Sequence, residues 1–129
     1  MERHGYSSRG RSRLVATLAF CAFFTAPAGA REGIDNANAK AAGQRAHFAH
    51  EFCGVSAERI ENYRLKFKAT LRASTDFDVW WKRGWHSEVA QTTQLRAMQA
   101  GNPKEYAARV RSDCARLKWQ ANNALRKGN

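Results

Sequence analysis

Residues 78–89 read DVWWKRGWHSEV, with Trp80, Trp81 and Trp85 falling within six residues and alternating with Lys82, Arg83 and His86. When exposed, aromatic and basic side chains in such alternation form a platform for bases, sugars or lipid headgroups. When one side of the segment is packed, the same letters form a buried helix face. What the rest of the chain places opposite these rings decides between the two.

Outward from this stretch, the apolar residues recur at three- and four-residue steps, with no alternating strand pattern and no internal repeat. The expected fold is therefore all-α: a four-helix up-down bundle with helices over about 37–53, 57–73, 76–100 and 103–126. Gly54 can take the left-handed cap after the first helix. Ser56 caps the second, and Val55 packs on Ile60 as a hydrophobic staple. Thr75 with Asp78 reads as the capping pair of the third helix. Asn102-Pro103-Lys104-Glu105 opens the fourth with a capping asparagine, a proline at the first helical position and a glutamate at the third, just after Gly101 ends the third. The inward stripe of the first helix is Ala42, Arg45, Ala46, Ala49, Phe52 and Cys53, and that of the fourth is Tyr106, Val110, Cys114, Leu117, Ala121 and Leu125.

Short connections make neighbouring helices antiparallel, and this fixes their levels. Cys53 then lies level with about residue 111 of the last helix, three residues from Cys114. At a rise of about 1.5 Å per residue the gap is about 4.5 Å, which modest sliding closes to disulfide geometry. A Cys53–Cys114 disulfide is expected, and a ring of about 60 residues constrains the unfolded chain by about 4 kcal/mol. The same count carries the third helix past the end of the first, so residues 93–110 should project as a helical hairpin. Leu95, Met98, Tyr106 and Val110 on its inner faces are the candidate partner-binding residues.

The first thirty residues read as an export signal. Arg3, Arg9, Arg11 and Arg13 precede the apolar run LVATLAFCAFF (14–24), and Ala28-Gly29-Ala30 closes it as a cleavage signature. Eleven apolar residues fall short of the roughly 20 that span a bilayer. Bulky Phe20 before Cys21 speaks against lipid attachment at that cysteine. Removing 30 of 129 residues leaves a single helical domain, 31–129, with a flexible lead over 31–36 and no integral membrane segment. It retains 18 basic and 10 acidic side chains, a net charge of about +8. Two cysteines in a small exported domain are most simply one disulfide, and the expected compartment is periplasmic or extracellular.

No motif in the chain carries recognisable catalytic or cofactor chemistry. His47, His50 and Glu51 in HFAHE share a helical face and could in principle hold zinc or copper, yet no further ligand is identifiable. They read as a solvated polar face, with no metal site assigned. Asp76 and Asp78 read as caps, and Glu58 and Glu61 as surface charge. The glycine-rich phosphate loop, the nucleophile elbow and CxxCH are all missing. No cofactor is expected. The last helix does carry Arg109, Arg111, Arg116, Lys118 and Arg126 around its outer half, with Trp119 diametrically opposite Val110, and the second helix adds Lys66, Lys68 and Arg72. Cations around an outward aromatic are the footprint of an anionic polymer or surface.

Two functions are therefore expected. The first is an exported, non-enzymatic interaction protein that contacts an unidentified protein partner, or itself, through the hairpin. The alternative is a basic module that binds nucleic acid, envelope polyanions or anionic lipid. As for DVWWKRGWHSEV, Trp81 and Trp85 fall on one face opposite Ala42, Ala46, Ala121 and Ala124. These two rings are expected in the core, Trp80 at its boundary, and Lys82, Arg83 and His86 outside. Gly84 beside them permits close approach or a slight bend.

Overall fold

A computed structural model describes residues 28–87 and 89–127. The basic and apolar parts of the expected export signal lie outside the described residues. Five helical segments follow one another: α1 (Ala28–Phe52), α2 (Ala57–Thr70), α3 (Phe77–His86), α4 (Val89–Gly101) and α5 (Pro103–Arg126). Among the described residues there is no strand, and the all-α bundle with one disulfide is the fold. The segments α3 and α4 are the two halves of the expected third helix.

Local signals place several boundaries where the sequence put them. Ser56 Oγ accepts from Arg59 N at 3.3 Å, and Val55 packs half-buried against the core. Asn102 Oδ1 accepts from Glu105 N at 3.2 Å while its Nδ2 donates to Glu105 Oε2 at 2.9 Å, with Pro103 opening α5. Gly54 holds φ at 66°, the left-handed conformation that ends α1 at little cost for glycine.

Three boundaries differ from expectation. First, α1 begins at Ala28, so residues 31–36 are helix and not a flexible lead. Glu32 Oε1 accepts from Thr75 Oγ1 at 2.6 Å, Asp35 Oδ2 from Ala73 N at 2.9 Å, and Asn36 Oδ1 from Ser74 Oγ at 2.8 Å. The polar letters of this segment are thus the acceptors that hold the α2–α3 connection. Second, α2 stops at Thr70, since Ala73 and Ser74 are committed to α1. The same commitment removes Thr75 from its expected capping role, and Asp78 turns to Arg64 and Lys68 instead. Third, the helix expected over 76–100 is interrupted. Ser87 N and Oγ both donate to Gly84 O, at 3.1 and 2.9 Å, and Gln44 Nε2 donates to Ser87 Oγ at 2.7 Å.

The core is the crossing of α1 and α3, where the two backbones nearly touch. A Cβ placed on Gly43 would stand 2.2 Å from Trp81 O, and one on Gly84 would stand 1.9 Å from Lys40 O. Each glycine is thus the space the other helix occupies. Ala39, Ala42 and Ala46 flank the crossing on α1, and Phe77 and Trp81 on α3, all buried. Ile60 and Phe67 of α2 close the third side. The rings of Tyr63, Phe67, Phe77 and Trp81 form a closed circuit with centroid separations of 5.6–6.4 Å, the range in which aromatic pairs attract.

Of the opening tryptophans, only Trp81 is fully in the core, at 6 % exposure. Trp80 stands at the boundary with the Arg83 guanidinium 4.6 Å from its ring centroid. Trp85, expected in the core, is half-buried between the rings of His47 at 5.0 Å and His50 at 5.9 Å. It packs there because the crossing turns the next turn of α3 toward the His47–His50 side of α1.

The α4–α5 arm joins this core more lightly. The Cys53–Cys114 disulfide bonds at 2.04 Å with its Cα atoms 5.7 Å apart. Phe52 meets Tyr106 at 6.5 Å, and Glu51 pairs with Arg96 at 2.8 Å. The last turn of α1 therefore reaches the level of Arg96 and Tyr106, and Leu95 is buried at 7 % exposure. The part of the hairpin beyond that level is residues 97–105, exposed apart from a half-buried Met98, and shorter than the expected 93–110. A disulfide fits an oxidising compartment. Among the described residues no helix is long and apolar enough to cross a membrane.

The close approach predicts an asymmetry among glycine substitutions. Gly43→Ala and Gly84→Ala should each destabilise by at least about 2 kcal/mol, because backbone must move to admit the methyl. Gly33, also in α1, has nothing within 4 Å of its added Cβ. Gly33→Ala should be neutral or stabilising by up to about 1 kcal/mol through helix propensity. Urea midpoints of the three variants check this, and equal destabilisation would contradict it.

Candidate functional site

The candidate surface is built on α5, whose sequence divides the helix into two faces. Tyr106, Val110, Cys114, Leu117, Ala121 and Leu125 are half-buried on the inner side, and α5 has no fully buried residue. Arg109, Arg111, Arg116, Lys118, Trp119 and Arg126 are all exposed. Trp119 is 65 % exposed. Among the described residues the other large exposed apolar side chains, Ile34, Leu65 and Val79, are spread singly over α1, α2 and α3, an ordinary surface pattern. Trp119 is set apart by its surroundings, since α5 bears six basic against two acidic side chains.

How the cations are paired separates structural from available charge. On α2, Arg64 bonds Glu61 through Nη2 at 2.6 Å and Nε at 2.8 Å, and also reaches Asp78 of α3. Lys68 Nζ meets the other Asp78 oxygen at 2.6 Å. Two cations and two carboxylates thus clasp α2 to α3, which takes Lys68 out of the candidate surface and leaves Lys66 and Arg72 exposed. On α5, Arg116 pairs with Asp113 at 2.9 Å yet keeps 63 % of its side chain exposed. Arg126 bonds the Asn123 amide oxygen. Among the described residues no carboxylate pairs with Arg109, Arg111, Lys118 or Arg126.

Of the hairpin candidates, Leu95 is buried and cannot meet a partner without local opening. Met98, Tyr106 and Val110 are half-buried. The apolar surface there is smaller than the sequence implied, because α1 ends against it.

The HFAHE segment, expected to be a solvated face, is partly covered by Trp85. His50 Nδ1 lies 2.9 Å from Val55 O, Glu51 is paired with Arg96, and His47 Nδ1 is buried without a hydrogen-bond partner among the described residues. Among the described residues no three of His, Cys, Asp and Glu converge in a way that could hold a metal ion. A cleft of about 290 Å³ lies between α1 and α5, with Gln44, Arg45, Asp113, Arg116 and Gln120 over Phe48. Its one carboxylate, that of Asp113, is engaged by Arg116. Sequence reasoning missed this cleft, since its lining comes from helices far apart in the chain.

Comparison with protein-family models, with characterised proteins and with solved structures finds no match for this chain. The chemistry of the surface is therefore argued from its residues alone. Exposed guanidinium and ammonium groups around an exposed indole can bind phosphate, sulfate or carboxylate groups displayed on a larger body.

The α2–α3 clasp contributes to the acid response of the fold. The hydrogen bond from Lys68, aided by Arg64, holds the Asp78 carboxyl below the usual aspartate range, and the two-pronged Arg64 contact lowers Glu61. Burial raises the Tyr63 phenol, against the nearby Arg45. A carboxyl lowered in the folded state stabilises above its unfolded pKa of about 4, and that contribution is lost as pH falls through the folded value. Melting temperature should therefore drop below about pH 4, and Asp78→Asn should flatten the drop. Thermal melts from neutral to acid pH check this, and an unchanged acid slope in Asp78→Asn would contradict it.

Proposed function

We propose that this protein is a non-enzymatic binding module, periplasmic or secreted, which engages anionic polymers or surfaces through the outer face of α5. The observation that carries the reading is the exposed Trp119 set among exposed Arg109, Arg111, Arg116, Lys118 and Arg126. The disulfide supports the compartment, because such bonds persist where thiols are not kept reduced. The net charge supports the class of ligand, since a basic chain attracts anions at long range and α5 itself carries six basic against two acidic side chains.

A second reading, contact with a protein partner or a second copy through the α4–α5 hairpin, draws on Met98, Tyr106 and Val110, which remain half-buried. The burial of Leu95 and the packing of Phe52 on Tyr106 weigh toward the α5 face instead.

The two readings part in one experiment, using labelled oligo-dT and heparin as probes with sedimentation run alongside. Affinity for the probes should fall steeply with salt. Arg116→Ala should reduce the logarithmic salt slope by about 1. Trp119→Ala should weaken oligo-dT binding by roughly fivefold or more through lost stacking. Met98→Glu should leave probe binding unchanged. Salt-independent binding, or loss of self-association in Met98→Glu alone with no probe binding by the parent, would transfer the function to the hairpin.

A further inference from the structure

We infer that the body docked by the α5 face is the anionic surface of a lipid bilayer. The inference rests on the anion-binding reading above and narrows it to one occupant.

The arrangement of side chains on α5 favours a plane over a strand. At about 100° per residue, Trp119 and Arg126 lie within roughly a tenth of a turn of one another and form a ridge along the outermost line of the helix. Arg109 and Arg116 flank that ridge on one side, and Arg111 and Lys118 on the other, each roughly a quarter-turn away. All six are exposed. From Arg109 to Arg126 the display runs about 26 Å along a straight helix. Long basic side chains a quarter-turn off the ridge can swing forward to a common tangent plane, their stems lying along the helix and their heads at the surface. A flat anionic sheet then meets both rows at once, while the indole enters at headgroup depth, where tryptophan is favoured.

A nucleic acid strand fits the same face less well. Sequence-tolerant strand binding uses a cationic groove with successive aromatic platforms. Here the face is the convex side of one helix and Trp119 is its one aromatic. The concave feature nearby, the α1–α5 cleft, has Phe48 as its one aromatic, and that ring is buried, so the cleft gives successive bases no platform. Glu105, the acidic side chain closest in angle to the ridge line, sits at the start of α5 about 21 Å from Trp119 and is held by Asn102. Asp113 is turned further from that line and paired with Arg116, so the C-terminal two-thirds of the helix lies closest to the membrane. Docking keeps the inner stripe against the protein, so the helix rests on the bilayer without unfolding from the bundle.

The test uses the oxidised protein with vesicles of phosphatidylcholine, with and without phosphatidylglycerol. Co-sedimentation should require phosphatidylglycerol and be reversed by salt. Each cation near an anionic leaflet strengthens binding roughly fivefold, so Arg116→Gln with Lys118→Gln should weaken it roughly thirtyfold. Brominated phosphatidylcholine mixed into the anionic vesicles should quench tryptophan emission, and Trp119→Phe should abolish most of that quenching while Trp80→Phe does not. Trp119 is exposed and Trp80 sits at the core boundary, where phenylalanine keeps an aromatic ring, so circular dichroism should confirm intact folds. Equal binding to neutral vesicles, or quenching unaffected by Trp119→Phe, would overturn the inference. Binding to oligo-dT or heparin without binding to vesicles would overturn it while leaving the anion-binding function standing. Binding to none of the probes would remove both.

Discussion

Gly43 and Gly84 face each other's helix backbone, and this contact sets the spacing of the core built from α1, α2 and α3. With no side chain on either, α1 and α3 approach until the carbonyls of Trp81 and Lys40 occupy the places where methyl groups would stand. The alanines beside Gly43 can then be fully covered, and Phe77 and Trp81 are pressed toward α2, where Tyr63 and Phe67 complete the ring circuit. Small residues on one helix and large ones on the next is a close-packed solution that depends on the crossing distance. A widening of one methyl group would loosen contacts along the whole interface, since dispersion energy falls steeply with separation.

The second half of the fold obeys a different constraint. Apart from Leu95, no side chain described in α4 or α5 is fully buried. These helices are held by their mutual packing, by Phe52 and Glu51 at the end of α1, by Ala124 and Leu125 against the core, and by the Cys53–Cys114 bond. The loop-entropy contribution of a cross-link between residues 61 apart, about 4 kcal/mol, is a large share of the net stability of a domain this small. The arrangement leaves the outer side of α5 unburdened by packing, which is why cations and an indole can be displayed there at little structural cost.

Legibility in the sequence followed how far away each decision is made. Ser56, Gly54 and Asn102-Pro103 act within a few residues, so those helix ends were readable, as were the inward Trp81 and the half-buried stripe of α5. The cysteine pair was readable because antiparallel levels bring Cys53 and Cys114 together. The end of α3 depends on Gln44, 43 residues from the serine it bonds, and the early start of α1 depends on contacts 38 and 43 residues distant. No window along the chain contains those decisions. Gly43 escaped notice because a glycine among alanines reads as a gap in a stripe, and its role appears only when Trp81 is placed against it. In the candidate surface, exposure of the α5 cations and Trp119 followed from periodicity, whereas the burial of Leu95 and the loss of Lys68 to the α2–α3 clasp required the tertiary structure.

A tightly crossed core with a disulfide-fastened arm is tested most directly by amide hydrogen exchange on the oxidised and the reduced protein. On reduction, amides of α4 and α5 should lose protection while those of 39–46 and 77–84 remain the slowest to exchange. Uniform loss across all helices would show one cooperative unit, and unchanged protection in α5 would show that packing alone holds the arm. Either result would contradict the account.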